Sequence, residues 1–513
     1  MTLDSLKHRT KSNLRIGLLL SVIVLGGAGL RLYGLDFQSF WSDEAGTYRN
    51  ISMPTLAQMN DAISANGQAP LGFYFELAAY RFLGSSETAL RFPPALAGIL
   101  TIFAIYLLGR RLFGYQEGLL SAGMMAVLFV PIYYSQEARV YAWVLLFSII
   151  ATYYWFGCLK SLMKAAKLDR RQAVLYFVFA LSALYTHYLV GLMLVWQAGV
   201  LVLVSIQKKK ALETMGLYAA FVPGFALWLP RVFQQVGRER YLNWIIPPYP
   251  EKVLQFFSWA LSGLRGRTSE PNFDLPLILG AAFVAYGIFS YLMKWGRDSE
   301  TMGKPHSVEE PLLLLAIVVP MVILYAFSHA VKSLWVDRYI IFLIAPLYLL
   351  VARGALSLVM LVPGRFVPAA RGALGAGLVI YLLFHTVFVK DYYEEVHKYQ
   401  AREVARAIQV IHESFPNSYS VGCGYSTNYD YYEEQFGGVT LVDGRQCQPE
   451  DVDALAQLLA DGGYEHLILS DIHLRVSRET REALEGRYCL LDVAEFYGGN
   501  VWLYDVKTSG TCK

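Results

Sequence analysis

The chain has 513 residues, 55% of them hydrophobic and 17% charged, with a mean hydropathy of +0.37 and 44 Lys+Arg against 41 Asp+Glu. That is more apolar than a soluble domain needs to be. The near balance of charge excludes an overall basic field for nucleic acid, and no Cys/His spacing of the zinc type occurs.

Apolar runs long enough to cross the roughly 30 Å hydrocarbon layer fall near 14–35, 88–109, 117–134, 139–159, 172–188, 189–206, 211–229, 274–293, 311–331, 338–358 and 372–389, which predicts about eleven transmembrane helices. The first is flanked by Lys7, Arg9, Lys11 and Arg15 and carries no small-residue cleavage site, so it reads as an uncleaved span. With the N-terminus inside, the inner connections collect Arg110 and Arg111, then Lys160, Lys164, Lys167, Arg170 and Arg171, then Lys208 to Lys210. The positive-inside rule favours this orientation, in a cytoplasmic membrane.

Two outer loops are then expected. Residues 36–87 carry the adjacent acids of Trp41-Ser42-Asp43-Glu44 and continue with Pro54-Thr55-Leu56 and Pro70-Leu71-Gly72 at helix-start positions, predicting short helices along the membrane surface. Residues 230–273 hold Trp244, Pro247, Pro248, Tyr249, Pro250, Trp259 and several arginines, the composition of an irregular covering loop.

The tail, 391–513, changes character to charged, alternating helix-like and strand-like patterns. Helices over 392–414 and 449–461, strands over 419–423 and 467–469 and a hairpin over 488–506 predict a small α/β domain. The fold class is thus a polytopic α-helical membrane domain, residues 1–390, followed by an extracytoplasmic α/β domain, residues 391–513. Cys423, Cys447, Cys489 and Cys512 lie in the tail, where three pairings are open, and Cys158 lies in a span.

A set of short motifs recurs along the predicted outer edge: Trp41-Ser42-Asp43-Glu44, Pro70-Leu71-Gly72-Phe73-Tyr74, Ala89-Leu90-Arg91-Phe92-Pro93, Tyr133-Tyr134-Ser135-Gln136-Glu137-Ala138-Arg139-Val140-Tyr141, Tyr185-Thr186-His187-Tyr188 and Asp337-Arg338-Tyr339. In this order, over about residues 14–355, they resemble the bacterial relatives of the dolichyl-phosphate-mannose-protein mannosyltransferases. These are glycosyltransferase family 39-like members of the GT-C class, which includes the lipid A aminoarabinose transferases and the rhizobial galacturonosyltransferases. The resemblance implies sugar transfer from a polyprenyl-phosphate carrier on the extracytoplasmic side, with inversion at the anomeric carbon and the first-loop Asp near the acceptor. The aminoarabinose transferases carry a Lys just before the Pro of the second motif; this chain has Gln68-Ala69-Pro70, so other cations are expected on the phosphate.

Such a transfer needs a base for the acceptor proton and cations for the departing phosphate. Asp43 or Glu44 suits the base, with Asp43 favoured by the resemblance. Asp43 also suits the N-cap of a helix beginning at Ala45. Arg139, Glu137, His187, Arg338, Tyr141 and Tyr134 are the candidates for donor phosphate or sugar, since cations suit the phosphate and aromatic faces and hydroxyls suit carbohydrate. Arg91 reads as an anchor of the second span, and Arg231, Arg238, Arg240, Arg265 and Arg267 as a cover over the carrier. No cofactor is expected and no metal is assigned, metal dependence being left open. The partners expected are the polyprenyl-phosphate-sugar donor, a lipid, glycan or protein acceptor, and membrane lipids, without nucleic acid. A secondary transporter and a catalytically silent envelope scaffold are the alternatives. A transporter would gather its ionisable groups near mid-membrane and show internal repeats.

Overall fold

The computed structural model describes residues 3–165, 167–235, 242–263, 274–300, 308–359, 363–424, 426–436, 447–473 and 476–507. The chain forms two compact units. One contains residues 1–33, 55–78 and 91–392; the other contains residues 34–54, 79–90 and 393–513. Composition placed a single boundary at 390. Packing also assigns two pieces of the first outer loop to the second unit.

Among the described residues of the first unit, and of helices that enter it, eight are long and apolar enough to cross a membrane: Asn13–Leu32, Glu87–Leu112, Tyr141–Ala165, Tyr188–Gln207, Leu275–Met293, Glu309–Ala330, Asp337–Leu358 and Gly364–Val389. Two bent pairs, Tyr115–Val127 with Phe129–Ser135 and Ala211–Phe225 with Leu229–Gln235, turn by 59° and 72°. Helix Arg170–Thr186, at 17 residues, occupies the remaining apolar run. Each of the eleven expected runs therefore contains a helix.

The break in the first bent pair has a clear cause. Pro131 has no N–H to donate and its ring crowds the carbonyl four residues earlier, so the helix stops at Val127 and Leu128 becomes extended (φ −71°, ψ 146°). The carbonyls this leaves open are taken by Arg31, which is fully buried: its guanidinium donates to Met125 O at 2.7 Å and Ala126 O at 3.0 Å, and to Ser135 Oγ at 3.2 Å. In return the Gln136 amide donates to Arg31 O at 3.1 Å and Tyr33 O at 2.8 Å, closing the end of the first helix. Each helix end thus receives a side chain from the other segment. Gly98 faces this junction, where a Cβ would overlap Ser135 Oγ.

Residues 230–273 are less irregular than their composition suggests. Glu251–Ser262 is a helix with Phe256, Trp259 and Leu261 buried. Arg231 pairs with Asp61 at 3.0 Å and lies over Trp228. Arg238, Arg240, Arg265 and Arg267 lie outside the described residues. Arg91, expected as an anchor at the membrane edge, is instead buried at 1% exposure.

The second unit is built on a four-stranded sheet of order β1 (Ser418–Gly424), β2 (His466–Ile472), β4 (Gly499–Asp505), β3 (Cys489–Phe496). β1 and β2 are parallel and the other pairs antiparallel, with Val421 opposite Leu469 and Leu469 opposite Trp502. Val421, Leu459, Leu467, Leu469, Leu484, Trp502 and Tyr504 form its core. Cys423 and Cys447 are disulfide-linked; Cys489 is also disulfide-bonded, and Cys512 lies outside the described residues.

Three elements differ from expectation. The helix foreseen from 392 begins at Ala401, because residues 392–398 run in turns and bends and the N–H groups of His397 and Lys398 go to Gln38 Oε1 at 3.1 and 3.2 Å. Helices Ser426–Phe436 and Arg478–Glu485 were not anticipated; both are polar over most of their length.

Candidate active site

Of the eight residues singled out by sequence, Asp43 and Glu44 fall in the second unit and Tyr134, Glu137, Arg139, Tyr141, His187 and Arg338 in the first.

In the first unit, the broken helix pair delivers Tyr134 and the turn 136–140, after which helix Tyr141–Ala165 starts. Gly72 has no side chain where a Cβ would strike Val140, which lets helix Leu71–Leu83 lie close to this turn. Phe75 of the same helix stacks on Trp143 at 3.9 Å. The spacing Pro-Leu-Gly-Phe-Tyr thus shapes a wall of the site by packing.

Tyr141 is the hub. Arg338 Nε donates to its hydroxyl at 3.0 Å, and the Arg139 guanidinium lies 6.0 Å from its ring. The His187 ring is 6.3 Å from Tyr141 and 5.0 Å from Tyr339; Tyr134 meets Tyr141 edge-on at 5.2 Å. Arg139 and Glu137 are buried, and Arg338 is half-buried between Tyr339 at 5.5 Å and Trp244 at 5.8 Å. All six residues expected here therefore belong to one neighbourhood, and the 230–273 segment adds Trp244 and Trp259, the latter 5.9 Å from Tyr134.

His187 sits in extended backbone between helix Arg170–Thr186 and a short 3-10 turn, and its Nδ1 accepts from Leu189 N at 3.3 Å. That bond places the proton of the neutral ring on Nε2, making the outer nitrogen a donor. Tyr188, which the sequence reading passed over in favour of His187, ties three segments together. Its hydroxyl donates to Gln68 O at 3.0 Å and accepts from Trp228 Nε1 at 2.7 Å and Gln235 Nε2 at 3.3 Å. Gln68 thus takes part through its backbone carbonyl. Glu76, at 1% exposure, is a buried carboxylate in this unit that periodicity gave no reason to single out.

In the second unit, helix Ser42–Ile51 follows Trp41 as N-cap without a side-chain capping bond. Asp43 therefore lies inside the first turn, where a carboxylate complements the helix dipole, and is not the cap. Asp43 is half-buried. Glu44 has no exposure and accepts a hydrogen bond from Lys398 Nζ at 2.9 Å, itself buried at 5% exposure. The helix packs against Ser426–Phe436 through Tyr48 and Tyr431, rings 4.9 Å apart, while Phe40 N donates to Tyr432 Oη at 2.7 Å. Partial desolvation lowers the pKa of the His473 imidazole, which stays exposed, and the negative charge of Asp43 acts in the opposite direction. His473 holds a left-handed backbone (φ 69°) at the end of β2, its ring 4.7 Å from Tyr399. Neither Lys398 nor His473 carries a motif, and only the folded tail brings them to this helix.

A family model described as dolichyl-phosphate-mannose-protein mannosyltransferase matches residues 67–233. Comparison with curated proteins gives no match. Among solved structures, the chain is similar to ArnT from Cupriavidus metallidurans in the apo state, with 15% identity, 98% of this chain and 100% of that one covered, and a TM-score of 0.55. It is also similar to the same protein bound to undecaprenyl phosphate (16% identity, 97% and 99% covered, TM-score 0.51). A third similarity is to the oligosaccharyltransferase AglB from Archaeoglobus fulgidus in complex with an inhibitory peptide and a dolichol-phosphate (13% identity, 96% and 74% covered, TM-score 0.52). The chain is thus a multi-pass membrane protein with an ArnT-like fold along nearly its whole length, and its residues 67–233 match the mannosyltransferase family model.

Proposed function

We propose that the protein transfers a sugar from a polyprenyl-phosphate carrier to a hydroxyl group of a lipid, glycan or protein, on the outer face of the cytoplasmic membrane. The observation that carries this reading is the Arg139–Tyr141–Arg338 cluster, two guanidiniums around one tyrosine in an aromatic setting with the His187 ring beside it. Such a set suits a phosphodiester that joins a polyprenyl chain to a sugar, since the cations meet the phosphate oxygens and the aromatic faces meet the sugar ring. Support comes from the structural neighbours whose complexes hold undecaprenyl phosphate and dolichol-phosphate.

The reaction is a single displacement. The acceptor oxygen attacks the anomeric carbon as the bond from that carbon to the phosphate oxygen breaks. The bonding pair leaves with the phosphate, and the acceptor proton passes to Asp43. Arg139 and Arg338 stabilise the charge that grows on the leaving group, and the His187 Nε2–H donates to it. Glu137, Tyr134 and Tyr141 hold the sugar end of the donor. As written the step uses no metal; activity abolished by a chelator and restored by a divalent ion would overturn that part. The orientation with the N-terminus inside and the tail outside rests on the basic inner connections. Labelling of single cysteines introduced at 208 and 395 by an impermeant reagent tests it, with reaction expected at 395 alone.

The decisive assay incubates purified protein with a labelled polyprenyl-phosphate sugar and candidate acceptors. Asp43→Asn is expected to lower kcat by about 10²- to 10⁴-fold, the usual contribution of a general base. Full transfer by a folded Asp43→Asn protein would overturn the assignment.

A further inference from the structure

Resting on the reading of Asp43 as the base, we infer that Lys398 is a positioning residue for it: by pairing with Glu44 in a buried ion pair, the tail fixes the helix turn that carries Asp43. Glu44 has no exposure and Lys398 only 5%, and their charged atoms are 2.9 Å apart. A carboxylate with no access to water depends on its cation and on nearby donors, and removing the cation takes away a charge that balances it. Glu44 adjoins Asp43 in the first turn of helix Ser42–Ile51, so displacement of one side chain tilts the other.

The pair belongs to a longer seam within the second unit. Gln38 Nε2 donates to Glu395 O at 2.9 Å, while its Oε1 receives the N–H groups of His397 and Lys398. Arg402 donates to Asp36 O at 2.8 Å, Phe37 O at 3.0 Å and Glu87 Oε2 at 2.5 Å, and Ser39 Oγ donates to Glu403 Oε2 at 2.5 Å. Residues 395–403 therefore grip residues 36–44 on both sides of Trp41. All these bonds join segments more than 300 positions apart, the smallest separation being the 315 positions between Glu87 and Arg402. Lys398 differs from the other members in reaching the acid next to the proposed base. The tail domain thereby acquires a role in the reaction, that of holding the base in register. A displacement of about 1 Å at a reacting group costs on the order of 10²-fold in rate.

The test measures kcat, donor KM and the thermal transition for Lys398→Met, Lys398→Arg and the double variant Glu44→Gln with Lys398→Met, beside Asp43→Asn. Lys398→Met is expected to lower kcat by about ten- to a hundredfold with donor KM moved less than about twofold, and Lys398→Arg to recover most of it. If Lys398→Met fails to fold, the double variant, which removes both charges, is expected to fold and to show the same loss of kcat. Wild-type kcat in folded Lys398→Met or in the double variant, or a loss in Lys398→Arg equal to that in Lys398→Met, overturns the positioning role. Loss in Asp43→Asn with wild-type kcat in Lys398→Met overturns this inference and leaves the base standing. Full transfer by Asp43→Asn overturns the base reading itself.

Discussion

Two buried cations, Arg31 in the membrane unit and Lys398 in the second, are satisfied by different means. In the membrane unit, Arg31 has no exposure and gives its protons to helix-end carbonyls, those of Gly27, Met125 and Ala126, and to the Ser135 hydroxyl. In the second unit, Lys398 meets the Glu44 carboxylate, and the half-buried Arg402 divides its donors between the Glu87 and Glu403 carboxylates and the carbonyls of Asp36 and Phe37. The contrast follows from what each setting offers. A helix interrupted among apolar side chains leaves carbonyls that no water can reach, and a guanidinium with several donors in a rigid fork suits them. A loop folded onto a polar tail meets carboxylates instead, and ion pairs there select which segments come together. The first arrangement stabilises a break within a helix pair, and the second joins distant parts of the chain.

Four experiments separate these two designs. The largest effect on stability is expected from Arg31→Leu, which leaves the carbonyls of Met125 and Ala126 without that donor; at about 1–3 kcal/mol for each buried group left unmade, a loss of about 3–5 kcal/mol is expected. Hydrogen exchange should accelerate over residues 124–136 and remain unchanged over β1 and β2; uniform acceleration would mean that the guanidinium has no local role. Cys423→Ser breaks a crosslink closing a loop of sequence separation 24 and is expected to cost about 3 kcal/mol, with exchange rising in β1 and the membrane helices unmoved. Arg338→Ala removes the donor to Tyr141 and is expected to raise donor KM by about ten- to a hundredfold, from the 1.5–3 kcal/mol of a charged hydrogen bond. An unchanged KM in both Arg338→Ala and Arg139→Ala would remove the phosphate from that cluster.

The smallest effect concerns pH. Partial desolvation favours neutral His473 in the folded unit although the ring stays exposed, so its small contribution to stability is complete above the ordinary histidine value of about 6.5 and is lost as pH falls below it towards the lower folded value. His473→Asn, which tolerates the same left-handed backbone, should flatten the acid side of a stability profile of the second unit. A profile that keeps its slope in the variant would assign the acid sensitivity to other groups.

Much of this architecture was legible along the chain. Helices Leu56–Ala65 and Leu71–Leu83 start within the stretches Pro54-Thr55-Leu56 and Pro70-Leu71-Gly72, and the Thr55 hydroxyl accepts from Gln58 N at 3.2 Å. The closing hairpin, read over 488–506, is β3 and β4. These features are local, so neighbouring residues specify them. Other features were read wrongly or passed over. Arg31 resembles a terminal residue of a span that reaches for water, and nothing in its neighbours reveals the carbonyls 94 and 95 positions away. Helix Ser426–Phe436 has a weak apolar stripe, because its tyrosines serve by their hydroxyls: Tyr431 donates to Ser85 O and Tyr432 bonds to Glu87. The stretch 392–400 has helical composition, yet the N–H groups of His397 and Lys398 go to Gln38 and that of Gln400 to Tyr497 O.

By itself the sequence determined the apolar runs, their order, the polar α/β tail and the motifs that gather Tyr134, Glu137, Arg139, Tyr141, His187 and Arg338, since hydropathy and short-range propensity act over a few turns of chain. Tertiary structure alone decided that Arg31 and Gln136 would close each other's helices, that Tyr188 would fasten Gln68 to Trp228, and that Lys398 would stand against Glu44. Those choices depend on which donors and acceptors remain unmet once the helices have packed, a quantity that exists only in the folded molecule.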